Sequence, residues 1–177
     1  MDVADLTELV RLHGNAVYGF CSKLVKNKAD TDDLYQETFL KAVELHHKID
    51  KANNPKAFLV SIALRLWKNN RRKYAIRQRI APVEEFNEAV KNEYILSNEE
   101  SPEDIVLSKE TSAMIQQAAE QLKEKLRIPL YMYYTAEMSN EEIASALKIP
   151  TGTVKSRLHK ARKILRDILE DCVYEES

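Results

Sequence analysis

Between Ser139 and Lys163 the chain places nine polar or basic side chains on what reads as one short helix and its entrance: Thr151, Thr153, Lys155, Ser156, Arg157, His159, Lys160, Arg162 and Lys163. No acid occurs between Lys148 and Arg166. Groups of this type at helical spacing can hydrogen-bond base edges in a DNA major groove and neutralise the flanking phosphates. A second cationic stretch, Arg65–Arg79, has a different design. It interleaves Arg65, Lys68, Arg71, Arg72, Lys73, Arg77 and Arg79 with Trp67, Asn69, Asn70 and Tyr74. Cations beside aromatic rings suit single-stranded DNA, because every base offers a face for stacking. The chain lacks a glycine-rich phosphate loop, an H-E-x-x-H motif and any Ser/His/Asp or Cys/His grouping with a local signature, so no enzymatic chemistry is expected. No metal-ligand spacing and no cofactor motif is present either.

The elements that would position these groups can be read locally. Ser139 and Glu142 have capping-box spacing, opening a helix from about Asn140 to Leu147. Ile143 and Leu147 share one face of it, and the small Ala144 leaves room for a second helix. Pro150 ends the connection, and Thr151 is placed to cap the second helix. Val154, Leu158, Ala161 and Leu165 recur as a buried stripe, which turns the basic residues outward. Residues 139–166 therefore read as a helix-turn-helix. Its turn, at Lys148–Ile149, has no glycine, and backbone strain is expected there.

The rest of the chain reads as helix as well. There are only 3 Gly and 5 Pro in 177 residues, and no alternating segment argues for a sheet. An amphipathic helix runs from Leu6 to Val25; Asp30 and Thr31 can cap a second one ending near His47. Asn54 caps a third, with Pro55 in its first position. Ser101-Pro102-Glu103-Asp104 starts another, continuing to about Leu126, and one more is centred on Pro129–Thr135. The expected fold class is all-α, with two small helical domains: a bundle of three to four helices over 1–80 and a four-helix domain over 102–172. Between them, residues 81–101 carry six glutamates and one lysine and read as an acidic linker.

The 27 Lys and Arg nearly balance the 28 Asp and Glu, for a net charge of −1. The charges are segregated, however: acids collect at Asp30–Glu44 and Glu84–Asp104, away from the basic elements. Two distant cysteines, Cys21 and Cys172, suggest no disulfide framework. The acidic N-terminus is no signal peptide, and Ala57–Leu64, the most apolar run, is far too short to span a bilayer. A cytoplasmic location without membrane insertion is expected.

Two motifs are similar to those of the extracytoplasmic-function (ECF) type of bacterial RNA polymerase sigma factor, which is built from sigma regions 2 and 4. Asp32-Asp33-Leu34-Tyr35-Gln36-Glu37-Thr38-Phe39-Leu40-Lys41-Ala42 resembles the region 2 signature D-L-x-Q-E-x-F-x-x-A. Pro150-Thr151-Gly152-Thr153-Val154-Lys155-Ser156-Arg157-Leu158-His159-Lys160-Ala161-Arg162 resembles the region 4 signature P-x-G-T-V-x-S-R-x-x-R-A-R. The resemblance covers roughly Leu6–Arg79 and Pro102–Leu169. Arg65 departs from it, standing where asparagine is common.

The resemblance implies a role and a set of partners. Asp32, Asp33, Gln36 and Glu37 would face the clamp helices of the largest subunit of core RNA polymerase, and region 4 would also contact the polymerase flap. The helix-turn-helix would read the −35 promoter element. Lys51, Asn53 and Asn54 in the loop before the third helix, with Arg65, Trp67, Lys68, Asn69, Arg71, Arg72 and Lys73 on that helix, would engage the −10 element, capture an unstacked base and assist melting. The linker would enter the polymerase channel that carries template and transcript, and an anti-sigma factor would hold the protein inactive. One alternative is a helix-turn-helix transcription regulator that acts without core polymerase; another is a helical adaptor that never touches DNA.

Overall fold

The computed structural model describes residues 3–46, 54–80 and 102–175, as seven helices and no strand among the described residues. These are α1 (Val3–Leu24), α2 (Lys28–Glu44), α3 (Pro55–Ile80), α4 (Pro102–Glu120), α5 (Glu124–Tyr134), α6 (Asn140–Leu147) and α7 (Thr151–Glu175). The acidic stretch 81–101 lies outside the described residues.

Helices α1, α2 and α3 pack mutually into the first unit. Val17 and Phe20 of α1, Leu34 and Phe39 of α2, and Leu59, Val60 and Ala63 of α3 supply its buried core. Helix α1 passes close to α2 at Gly14: a Cβ there would lie 2.9 Å from the Tyr35 hydroxyl oxygen, and that side chain would have to shift. Cys21 is buried in this core, and loss of hydration pushes its thiol up to about 12, so it acts as an apolar filler.

The start of α2 differs from the sequence expectation. Asn27, not Asp30 or Thr31, is the cap: its Oδ1 accepts from the Asp30 amide at 2.8 Å, while its Nδ2 donates to the Asp30 carboxylate at 2.8 Å. Thr31 is buried inside the first turn, and its hydroxyl donates to the Asn27 carbonyl. A side-chain amide accepts from a backbone N–H and donates to an acid at once, so Asn27 serves both the Asp30 amide and the Asp30 carboxylate.

The second unit is α4 to α7, with α7 packed against α4, α5 and α6. Helix α4 ends at Glu120, six residues earlier than expected, and α5 begins at Glu124, before Pro129. The break is closed by tight bonds from the Gln121 and Leu122 amides to the carbonyls of Ala118 and Ala119. Arg127 adds a bond from Nη1 to the Glu120 carbonyl, a favourable charge at a helix C-terminus. Proline usually sits in a first turn, but here Pro129 is inside α5. The burial of Leu126, Ile128, Leu130, Tyr131 and Met132 around it offsets the backbone bond it cannot make.

The two units dock on each other, α3 against α6 and α1 against α5, and the hydrophobic cluster runs continuously through both. A Cβ on Gly19 of α1 would come within 3.0 Å of the Thr135 methyl group, so the helix backbone itself meets the end of α5. Polar bonds rim the seam. Lys56 Nζ donates to the Glu137 carbonyl at 2.9 Å, Lys23 bonds Gln116, and Arg71 pairs with Glu124.

Candidate nucleic-acid interface

The capping box that opens α6 is complete. Ser139 Oγ accepts from the Glu142 amide at 3.2 Å, and Glu142 Oε2 accepts from the Ser139 amide at 2.7 Å. Helix α6 stops at Lys148, which adopts the left-handed conformation (φ 54°, ψ 47°) and bonds back to the carbonyls of Ala144 and Ser145. Ile149 also returns to the Ala144 carbonyl, at 3.0 Å. A lysine held there costs on the order of 1–2 kcal/mol of backbone strain, in line with the missing glycine.

Helix α7 starts one residue earlier than a Thr151 cap would require. The Pro150 carbonyl accepts from the amides of Thr153 (2.9 Å) and Val154 (3.2 Å), so Pro150 holds the cap position and Thr151 is the first helical residue. Proline supplies the carbonyl and has no amide left to satisfy. A Cβ on Gly152 would meet nothing within 4 Å, so the helix entrance is open.

The inward seam of α7 is Val154 (0% exposed), Leu158 (2%) and Ala161 (0%), packed with Ile143 and Ala144, and Leu165 is partly buried beside it. Burying two such side chains contributes about 1.5–3 kcal/mol each, which fixes which face of α7 looks outward. Lys155, Ser156, His159, Lys160 and Lys163 are exposed on that face; Thr151, Thr153 and Arg157 are half-buried at its margins. Ser156 donates its hydroxyl proton to the Thr153 carbonyl at 3.0 Å, which turns the oxygen lone pairs toward an incoming donor. Arg162 is also exposed, but its guanidinium is engaged on the protein's own surface: Nε donates to the hydroxyl of Tyr134, itself 58% exposed, at 2.8 Å. Tyr134 was not among the residues expected at this site; its partner is 28 positions away, and no local pattern announces the pair.

The second cationic element is the exposed half of α3. Asn54 caps it, accepting from the Ala57 amide at 3.0 Å, and takes a positive φ of 55°, which asparagine tolerates. Lys51 and Asn53 lie outside the described residues. Arg65, Lys68, Asn69, Asn70, Arg71, Arg72 and Lys73 are all exposed. Trp67 is the exception. It is only 6% exposed, and the Arg71 guanidinium covers its ring at 4.6 Å from the centroid. In this arrangement Trp67 is a core aromatic and presents no face to a base, because its apolar surface is worth more buried than the cationic setting suggested.

The acidic group on α2 divides in two. Asp32 is half-buried and accepts from the Tyr18 hydroxyl at 2.8 Å, and this bond, ahead of burial, raises the phenol above its ordinary range. Tyr18 packs edge-on against Tyr35, and Tyr35 against Phe39, so Asp32 belongs to a framed aromatic row. Asp33, Gln36 and Glu37 are exposed. Leu40, one turn further along, is 67% exposed and adds an apolar knob to that ridge. Its period with Asp33 and Gln36 was the signal that could have marked it.

Residues 9–76 match the sigma-70 region 2 family, and residues 112–165 match the sigma-70 region 4 family. The ECF RNA polymerase sigma factor SigW of Bacillus subtilis is 31% identical over 168 residues, covering 93% of this chain and 88% of that protein. The RNA polymerase sigma-H factor of Pseudomonas aeruginosa is 29% identical, covering 94% of this chain and 87% of its own length. The fold is similar to that of the sigma factor RpoE of Bartonella quintana, solved in complex with the anti-sigma factor NepR. That match has a TM-score of 0.75 and 22% identity, over 95% of this chain and 98% of the other. With both sigma regions in order on one chain, no strand among its described residues, and an ECF relative matched over most of its length, this protein belongs to the ECF RNA polymerase sigma factors, which direct transcription initiation.

Proposed function

We propose that α7 lies in the major groove of a −35 element, with Lys155, Ser156, His159 and Lys160 at base edges and Lys163 on phosphate. Thr151, Thr153 and Arg157 face the flanking phosphates near the helix entrance. One observation carries this assignment: the basic residues are exposed as a single face, while Val154, Leu158 and Ala161 are buried against the rest of the second unit. A helix held so by its inner seam can enter a groove without unfolding anything.

The ridge Asp33–Gln36–Glu37–Leu40 docks on a basic, partly apolar surface of core polymerase, the clamp helices of its largest subunit, with Asp32 stabilising the ridge through Tyr18. Acids gathered on one exposed ridge would repel DNA, so a basic protein partner suits them. A flap contact by the second unit would complete the holoenzyme. The exposed cations of α3, with Lys51, Asn53 and Asn54 before it, engage the separated strand of the −10 element. Residues 1–80 and 102–172 then act as two domains joined by the acidic 81–101 segment, and promoter engagement breaks the Arg71–Glu124 pair. The chain has no catalytic role of its own: polymerase does the chemistry, in the cytoplasm. The anti-sigma partner of the Bartonella relative makes a similar inhibitor a natural partner here. No helix among the described residues is long and apolar enough to cross a membrane.

The test is transcription with purified core polymerase. A sigma factor confers initiation at defined sites without any other sigma, and the chain co-migrates with core enzyme. Initiation only in the presence of a second sigma would support the helix-turn-helix regulator instead.

A further inference from the structure

Arg162 follows Leu158 by four residues and Lys155 by seven, so it stands on the flank of α7, between the buried seam and the outward basic face. From that flank a guanidinium can reach a phosphate or fold back on the protein. Here it folds back along the surface onto the end of α5. Its Nε donates to the Tyr134 hydroxyl at 2.8 Å, and its carbon lies 5.2 Å from the Tyr133 ring centroid and 5.6 Å from that of Tyr134. The two rings are themselves held edge to face, with centroids 5.0 Å apart at 71°. Helix α5 ends at Tyr134, where the amides of Thr135 and Ala136 both return to the Tyr131 carbonyl. The negative end of that helix dipole further favours a cation at this point.

We propose that Arg162 and Tyr134 are positioning residues that set the angle at which the recognition helix meets DNA, with Arg162 serving this clamp in place of a phosphate. The proposal rests on the reading of α7 as the recognition helix. The apolar seam decides which face of α7 is outward, but apolar contacts are non-directional and define the helix angle less sharply than a hydrogen bond does. The α6–α7 turn pins one end through the Ile149 amide and Ala144 carbonyl. The Arg162 clamp pins the helix two turns beyond Lys155, with a directional bond and two ring faces. Base-edge hydrogen bonds demand positions within a few tenths of an ångström, so a pin at each end of the reading segment bears directly on sequence preference.

The test uses the full chain and a duplex that the wild-type protein has selected from random-sequence DNA, compared with a scrambled duplex of the same composition. Tyr134→Phe removes the one hydroxyl that accepts from Arg162 and keeps the ring, and Arg162→Gln removes the guanidinium. Each is expected to lower the preference for the selected duplex about ten-fold, the worth of one charge-assisted bond. The double variant should fall no further than the worse single one, since both cut the same contact. The slope of log affinity against log salt should stay at its wild-type value in all three. A Tyr134→Phe protein with wild-type preference, even with a lowered Tm, overturns the proposal, because a contact that only stabilises the fold leaves preference unchanged. So does a slope about 0.9 shallower in Arg162→Gln, which marks a lost phosphate contact. Wild-type protein that selects no duplex at all would instead overturn the reading of α7, and the clamp's role with it.

Discussion

The Glu37 carboxylate on α2 accepts a hydrogen bond from the Asn70 side-chain amide on α3 at 3.3 Å, linking the acidic ridge proposed for polymerase to the cationic helix proposed for the −10 strand. The residues are 33 positions apart, and both are exposed. One carboxylate therefore stands in both candidate surfaces.

Glu37→Gln keeps an acceptor for Asn70 and removes only the charge. Core polymerase affinity, measured by titrating labelled protein, should fall several-fold, about 1 kcal/mol, and more at low salt than at high salt. Binding of a single-stranded −10 oligonucleotide to the free protein should not weaken. Glu37→Ala removes both functions and should lower both affinities.

Lys160 is exposed on the outward face of α7, away from the Arg162 clamp. Lys160→Ala should weaken binding to a −35 duplex by about 1–3 kcal/mol and relax preference at one base pair. A uniform loss across all duplexes, with a shallower salt slope, would place Lys160 on phosphate instead.

The Arg71–Glu124 pair ties a −10 candidate to the second unit, and both side chains are about half-exposed. Exposed pairs contribute about 0.2–1 kcal/mol, so Glu124→Gln should raise the affinity of the free chain for single-stranded −10 DNA by a factor of up to about five. The gain should vanish at high salt, where the pair is already screened. An equal gain in Arg71→Ala would contradict this, since that variant has lost the DNA contact.

Burial, and then the Lys56 ammonium, hold the His13 imidazole below its ordinary value near 6.5. On unfolding the imidazole regains its ordinary affinity for protons. Between its folded pKa and about 6.5 the unfolded chain therefore binds more protons than the folded one, and stability rises with pH. Urea unfolding of the wild-type protein should show a lower midpoint at pH 5 than at pH 7. His13→Gln should show a smaller difference. Because Lys56 also bonds the Glu137 carbonyl, the acid-induced loss should include loosening between the units.

The capping box at Ser139 and Glu142, the apolar period of α7, and Asn54 beside Pro55 were legible because each is completed within one helix or its cap. These local signals sufficed to place the outward basic face and the helix-turn-helix. The Asn27 cap was missed although it is equally local, because Asp30 and Thr31 offered the same chemistry nearer the apolar run. The α4–α5 break was missed for a different reason: it depends on Arg127 reaching back to Glu120 and on a proline buried among apolar neighbours.

From its order of residues alone the chain determined an all-helical build, two separated cationic helices, an acidic ridge and the family they resemble. Those properties follow from spacing over a few residues, which the helix period converts directly into faces. Only the folded chain decided that Trp67 is buried, that Arg162 turns toward Tyr134, and that Lys56 and Arg71 bridge to Glu137 and Glu124. Each of those outcomes pits burial or a polar bond with a distant partner against exposure to solvent, and that competition is settled by which surfaces meet.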